Sequence, residues 1–544
     1  EDMNLSELFM KIAKEMKNDH FFGIPGSGVP LDLMDSGKNI DLHFVNVAHE
    51  STAAIAAGTY GLIKDSAGLC LGVKGVGAAN LAGGVANAYF ERMPVVCVCE
   101  TTPNYSYENE MVQHADHQGL MQSVTKSMVT LSKNKPADLI RGAFNTSIEG
   151  LSGPVLIDFP SDMGLIEAKD TKYKPIDKTI KSPSRYDSEI IETINLINNS
   201  KKPMILIGDG VRKDKAVTQV VNFSEKIGAG VLSTMKARGV FPENHERWVG
   251  VSTAYGEGNN SRPNILTSGS DLIILIGADQ MMTHAPWPKG EINSVEIISG
   301  QELKTLSSDP KAICKGNIRD IVKMLMDSKE KAGWKPDEIN QIYKDTNYRF
   351  LRPDNAIFTA QDVIEISKEM LPKDGLLFTE TGAFIALLEN TWKFDEPLKF
   401  FGTSGGRTMG LMIPSYIGGS LATNNQVPLM GIGADGSALM RLGEFETIKR
   451  ANLKWPIVII NDAALGTMKY RQGFRGYKDY GLDLNMVDFA EVAKSCGLKG
   501  DTVSDPESYR KALINAFKSD TTTIIDARID PKVYQDNFGG TIGD

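Results

Sequence analysis

The amino-acid sequence predicts an α/β fold of three consecutive α/β domains, each with a mainly parallel central sheet and flanking helices. Three observations predict it. The chain has 544 residues, enough for about three domains of ordinary size. Short apolar runs alternate with longer helical stretches along it, the pattern of a parallel sheet with crossover helices. One segment, residues 427–471, reads as strand, Gly-rich turn, helix, strand and turn, with a carboxylate closing each strand.

The first domain is placed at 1–180, with strands at 21–24, 42–47, 69–73, 94–100 and 154–158. A small-residue helix is expected at 51–61, directly after Glu50. The polar stretch 170–184 reads as a linker. A central α/β domain follows at 190–335, with strands at 204–208, 231–234 and 271–277; Ala285-Pro286-Trp287-Pro288 reads as a rigid loop. The charged stretch 328–345 is expected to link it to the third domain, 350–544, which shares the alternating plan of the first.

In the third domain the strand at 427–432 runs into Gly433-Ala434-Asp435-Gly436-Ser437. Leu439, Leu442, Phe445 and Ile448 then recur at helical spacing, which predicts one helix. The second strand, 456–460, ends in Asn461-Asp462. A right-handed crossover makes such strands parallel neighbours. Asp435 and Asp462 should therefore sit side by side at the carboxyl edge of the sheet, where these folds bind ligands. Two oxygen donors beside a helix N-terminus suit Mg²⁺ carrying a diphosphate. A Gly-rich turn in an ordinary doubly wound sheet explains the turn but not both acids.

Composition narrows the class. Hydrophobic residues make up 41% and charged residues 23%, as in globular proteins, and the net charge of −9 argues against a nucleic-acid partner. The longest apolar runs are too short to span a bilayer, so no membrane partner is expected. No secretory signal is read near the first residues. Five cysteines without framework spacing favour a reducing compartment, and a cytoplasmic location is expected. Cys97 and Cys99 share one strand face and read as small buried hydrophobes.

The segment GADGS…ND resembles the GDG…NN cofactor anchor of thiamine-diphosphate (ThDP) enzymes, with Asp462 where that family usually has Asn. The domain order resembles the acetolactate synthase, pyruvate oxidase and 2-oxo acid decarboxylase group. The resemblance implies ThDP and Mg²⁺ as cofactors, the metal being held by Asp435, Asp462 and the carbonyl of Ala464. Gly436, Ser437, Leu465 and Gly466 would lie near the diphosphate. NVAHES resembles the catalytic-glutamate motif, which gives Glu50 the pyrimidine nitrogen. Gly75 and Asn80, in GVGAAN, would line the pyrimidine pocket. In TSGGRTMG, Met409 matches the side chain wedged between the two cofactor rings, with the Arg407 main chain at the pyrimidine edge. Glu380 and Thr381, in TETG, resemble a decarboxylase stretch before the diphosphate site.

Ser27, Gln113 and His114 would face the substrate, Gln113 matching a glutamine of synthase and lyase members. Lys74 stands where relatives mostly carry Ser or Thr, and is expected to supply positive charge for an acidic substrate. FAD in the central domain is possible but not favoured. The implied assembly is a homodimer or homotetramer, with each site between the first domain of one subunit and the third of its partner. The expected activity is acetolactate-synthase-like carboligation after decarboxylation of a 2-oxo acid. The alternatives are simple non-oxidative decarboxylation, cleavage or hydrolysis of a diketone or acyl-CoA, and a non-catalytic cofactor-binding homologue.

Overall fold

The computed structural model describes residues 3–106, 108–109, 111–175, 181–252, 261–283, 291–300, 305–531 and 534. The loop expected at 285–288 lies outside them.

Each section folds around a six-stranded sheet. The first comprises β1 (His20–Gly23), β2 (His43–Asn46), β3 (Gly68–Gly72), β4 (Val95–Thr101), β5 (Ser127–Thr130) and β6 (Pro154–Pro160). Its order is β2-β1-β3-β4-β6-β5, every pair parallel. The middle sheet comprises β7 (Pro203–Ile207), β8 (Gly230–Thr234), β9 (Trp248–Ser252), β10 (Leu272–Ile276), β11 (Asn293–Ile298) and β12 (Ala312–Lys315), in the order β9-β8-β7-β10-β11-β12. The third comprises β13 (Leu376–Phe378), β14 (Phe400–Phe401), β15 (Leu429–Ala434), β16 (Ile457–Asn461), β17 (Lys499–Val503) and β18 (Thr523–Arg528). Its order, β14-β13-β15-β16-β18-β17, repeats that of the first sheet.

Runs such as LIILI in β10 are buried at every position, because helices cover both faces of a parallel sheet. Four helices follow strands of the first sheet: α1 (Val29–Lys38), α2 (Glu50–Lys64), α3 (Val76–Phe90) and α4 (His117–Met121). The Ala- and Gly-rich α2 is buried from Glu50 to Leu62 and packs against α6 (Met412–Ala422) of the third domain, which follows α5 (Pro336–Asn347). A Cβ at Gly418 of α6 would stand 2.1 Å from the Ala56 carbonyl oxygen, so this close crossing requires glycine.

Two expectations are corrected. The single helix carrying Leu439 to Ile448 is split into α7 (Asp435–Leu439) and α8 (Glu444–Arg450). At the break, Gly443 lies against Ala48 and Arg441 donates to Ser51 Oγ at 2.7 Å, so first-domain contacts win over continuous helical hydrogen bonding. The charged stretch 328–345 is not a bare link either. It includes most of α5, whose Ile339 and Ile342 join Trp334 in the core beneath Met204 and Leu206. Its charges are the solvent face of an amphipathic helix. Among the described residues, no helix is long and apolar enough to cross a membrane.

Candidate active site

Strand order reverses between β13 and β15 in the third sheet, which opens a crevice at their carboxyl ends. Thr381, Met409, Asp435, Gly436, Ser437, Asp462, Ala464, Leu465 and Gly466, all predicted from sequence, line one pocket there. Asp435 opens α7, and its Oδ1 accepts from the Gly436 N–H at 2.7 Å. Its Oδ2 accepts from the Asp462 N–H at 3.3 Å, so the acids are neighbours across the parallel pair β15–β16. Asp462 Oδ1 accepts from the Ala464 N–H at 3.2 Å.

Burial raises the carboxyl pKa of Asp435, while several backbone N–H groups oppose the rise. Asp462 is pushed to about 7, first by burial and then by the charge of Asp435. Two crowded carboxylates in an apolar wall invite a cation. Among the described residues, no group of three or more His, Cys, Asp or Glu could hold a metal ion. A cation here therefore needs oxygens beyond these two side chains, such as the Ala464 carbonyl and those of a bound anion. The Ser437 Oγ, 1% exposed, has no hydrogen-bond partner among the described residues, the state expected of a donor reserved for a ligand. At Gly436 an added Cβ would meet Leu465 at 2.7 Å and Met409 at 3.4 Å, so only glycine leaves room between them. These residues fit a metal–diphosphate group.

Glu380 lies behind the pocket. Its Oε2 accepts from Met412 N–H at 3.1 Å and its Oε1 from Ala434 N–H at 3.2 Å; burial pushes it to about 7. Arg407, at φ 46°, and Met409 sit on a loop tied to the first domain. Glu91, at the C-terminal end of α3, accepts from Ser404 N–H at 2.8 Å, Gly406 N–H at 2.9 Å and Thr403 Oγ1 at 2.9 Å. Asn87 adds a 2.8 Å bond to Thr408. Sequence reasoning missed Glu91. Its signal was an acid at a helix C-terminus, where the helix dipole disfavours it.

The other predicted residues gather at the carboxyl edge of the first sheet. Glu50 opens α2, 8% exposed, and its Oε2 accepts from Asn80 Nδ2 at 3.0 Å. Gly75, at φ 70°, precedes α3, and a Cβ there would stand 2.5 Å from the Gln113 carbonyl oxygen. Gln113 itself has φ 57° and is exposed, and His114 Nδ1 lies 3.1 Å from Thr102 Oγ1. Ser27 is exposed on the loop entering α1; that loop is pinned by Glu100, whose Oε2 accepts from the Val29 N–H at 2.7 Å. Lys74 is half-buried. Among the described residues, none of the first domain lines the third-domain pocket.

The first and third domains share one strand order, the first presenting the buried Glu50 and the third an acid pair beside a Gly-rich turn. The family models agree. Residues 3–122 match the thiamine pyrophosphate enzyme N-terminal TPP binding domain, 190–327 the central domain, and 380–527 the C-terminal TPP binding domain. The chain belongs to the thiamine pyrophosphate enzymes, in the acetolactate synthase group. It is 27% identical over 538 residues to the "Probable acetolactate synthase large subunit" of Methanocaldococcus jannaschii, covering 94% of this chain and 89% of that one. It is 27% identical over 563 residues to the acetolactate synthase large subunit of Corynebacterium glutamicum (97% and 87% covered). With the acetolactate synthase isozyme 2 large subunit of Escherichia coli it shares 24% over 519 residues (94% and 92% covered).

Proposed function

We propose that the protein is a ThDP- and Mg²⁺-dependent carboligase that decarboxylates a 2-oxo acid and joins the remaining fragment to a second carbonyl compound, a reading supported by its relatives named as acetolactate synthases. The carrying observation is the third-domain pocket: two adjacent acids, an orphaned Ser437 hydroxyl and a glycine gap closed by Met409. Bound ThDP supplies a carbon nucleophile and an electron sink at its thiazolium ring. Asp435, Asp462 and the Ala464 carbonyl would hold the metal, Ser437 would donate to the diphosphate, and Met409 would pack against the bound cofactor. Glu50 holds a proton against the pyrimidine nitrogen, and Asn80 fixes which of its oxygens is free to do so. Gln113, Ser27 and His114 polarise or orient the substrate, and Lys74 attracts its carboxylate.

In this reading the active unit is a homodimer or homotetramer in which the first domain of one copy faces the third of another. Val76, Met111 and Val112 beside the Glu50 half are 67%, 74% and 73% exposed, and Met440 and Met468 near the pocket are 56% and 42% exposed. Apolar side chains on both halves are what such a pairing would bury. We read the central domain as flavin-free. At the crevice between β7 and β10, Asp209 is held bidentate by Arg212 at 2.7 Å for both bonds, so that guanidinium is already engaged within the chain.

Holoenzyme supplied with pyruvate tests the reading. Acetolactate supports carboligation; acetaldehyde with CO₂ would make the enzyme a simple decarboxylase. A visible spectrum of the purified protein tests the flavin statement, and a cytoplasmic location is checked by fractionation.

A further inference from the structure

Between the two segments that carry the proposed substrate-side residues lies a buried histidine that the mechanism above does not use. His117 opens α4, with its side chain 1% exposed. Its Nε2 accepts the Gly75 backbone N–H at 3.0 Å, and its Nδ1 lies 3.1 Å from Asp158 Oδ1 at the end region of β6. Accepting at Nε2 puts the single proton of the neutral ring on Nδ1, from which it is donated to Asp158. The other Asp158 oxygen accepts from Gln118 Nε2 at 3.3 Å, which steadies the carboxylate.

The geometry resembles the base and orienting acid of a hydrolytic triad. The third partner, however, is a peptide N–H, which has no nucleophile to offer. The pair can hold and orient, but it cannot activate.

What it holds is the turn at Gly75. That turn adopts φ 70° and ψ −106°, precedes α3, and through α3 presents Asn80 to Glu50. The same glycine packs against the Gln113 carbonyl, and Gln113 lies four residues before His117 on the segment leading into α4. One imidazole thus ties the Lys74–Gly75 turn to the Gln113–His114 segment. We propose that His117 is a positioning residue for this enzyme: its Nε2 lone pair, aligned by Asp158, fixes the Gly75 turn so that Gln113 and Lys74 stand in register with Glu50 across the substrate.

The effect on turnover rests on the ThDP reading given above; the effect on the turn does not. The test compares His117→Gln, which can place a carbonyl oxygen near the Nε2 position, with His117→Asn, which retains only the shorter reach toward Asp158. Each folded variant is followed by hydrogen exchange at the Gly75 amide in cofactor-free protein, and by kcat and KM with pyruvate in holoenzyme. The Gln variant should keep the Gly75 amide protected and kcat/KM within about threefold of the parent. The Asn variant should exchange at Gly75 at least tenfold faster and lose about tenfold to a hundredfold in kcat/KM, the scale expected when reacting groups are misplaced by about an ångström. Unchanged Gly75 protection in the Asn variant would overturn the proposal. So would equal kinetics of the Gln and Asn variants in the presence of unequal protection. If the protection pattern holds while the parent itself does not turn over pyruvate, the tie stands and pyruvate is not the substrate of the proposed carboligase.

Discussion

Replacing Asp462 by Asn isolates the cost of the acid pair in the metal-free protein. The Asp462 carboxyl is pushed from 3.8 to about 7 in the folded chain, by burial and then by Asp435. The folded state therefore binds this proton more tightly than the unfolded state does. Stability from this group is fully present below pH 3.8 and is lost as pH rises toward 7. At 1.36 kcal/mol per pH unit, linkage gives a penalty of about 2 kcal/mol at pH 5 and about 4 kcal/mol at pH 8. The amide of Asp462→Asn carries no charge to desolvate, and its carbonyl can still accept from the Ala464 N–H, as Asp462 does at 3.2 Å. The variant should therefore be the more stable protein, by a margin that widens from pH 5 to pH 8. Denaturant unfolding in EDTA at the two pH values measures the margin. Equal stability at pH 8, or a margin that does not change with pH, would refute the reasoning. Under the proposed function Mg²⁺ with ThDP should narrow the gap, because a cation offsets the repulsion that only the parent carries.

Glu50→Gln should leave folding and ThDP affinity nearly unchanged, as measured by calorimetry, and reduce kcat at least a hundredfold; parental kcat would contradict the assigned role. Glu91→Ala strips the acceptor from Ser404 N–H, Gly406 N–H and Thr403 Oγ1, all drawn to one buried carboxylate. Unmade bonds of this kind cost about 1–3 kcal/mol each, so a loss of tenfold or more in ThDP affinity is expected, and unaltered affinity would show that the Met409 loop stands without it. Lys74→Met should raise KM for acidic substrates several-fold while changing kcat less; an unchanged KM for every acidic substrate would remove Lys74 from the site.

The sequence made strands and strand-end acids legible for one physical reason: both are local. LIILI in β10 can be little else than a strand buried on both faces, and an acid directly after such a strand must lie at the carboxyl edge. Asp435 and Asp462 needed only the handedness of the crossover to become neighbours. Glu91, Glu100, His117 and Glu444 were illegible because their partners are distant. Glu91 reaches Ser404 and Glu444 reaches Ala48, separations of 313 and 396 residues, and no periodicity records such a pairing. The broken helix is the same lesson in reverse. Leu439 to Ile448 has the spacing of one helix, but Arg441 reaches Ser51 and Gly443 lies against Ala48, both in the first domain.

Those contacts bear on how two halves of a site can work together. The stretch 435–444 starts with Asp435 in the diphosphate pocket and ends with Glu444. The Glu444 Oε1 accepts from Ala48 N–H at 3.1 Å and His49 N–H at 3.2 Å, at the entry to α2. Between them Arg441 donates to Ser51 Oγ at 2.7 Å. Ala48, His49 and Ser51 flank Glu50, so a short segment, buried at both ends, joins Asp435 of a chain to the mounting of its own Glu50. Under the proposed pairing that glutamate serves the site completed by another copy's third domain.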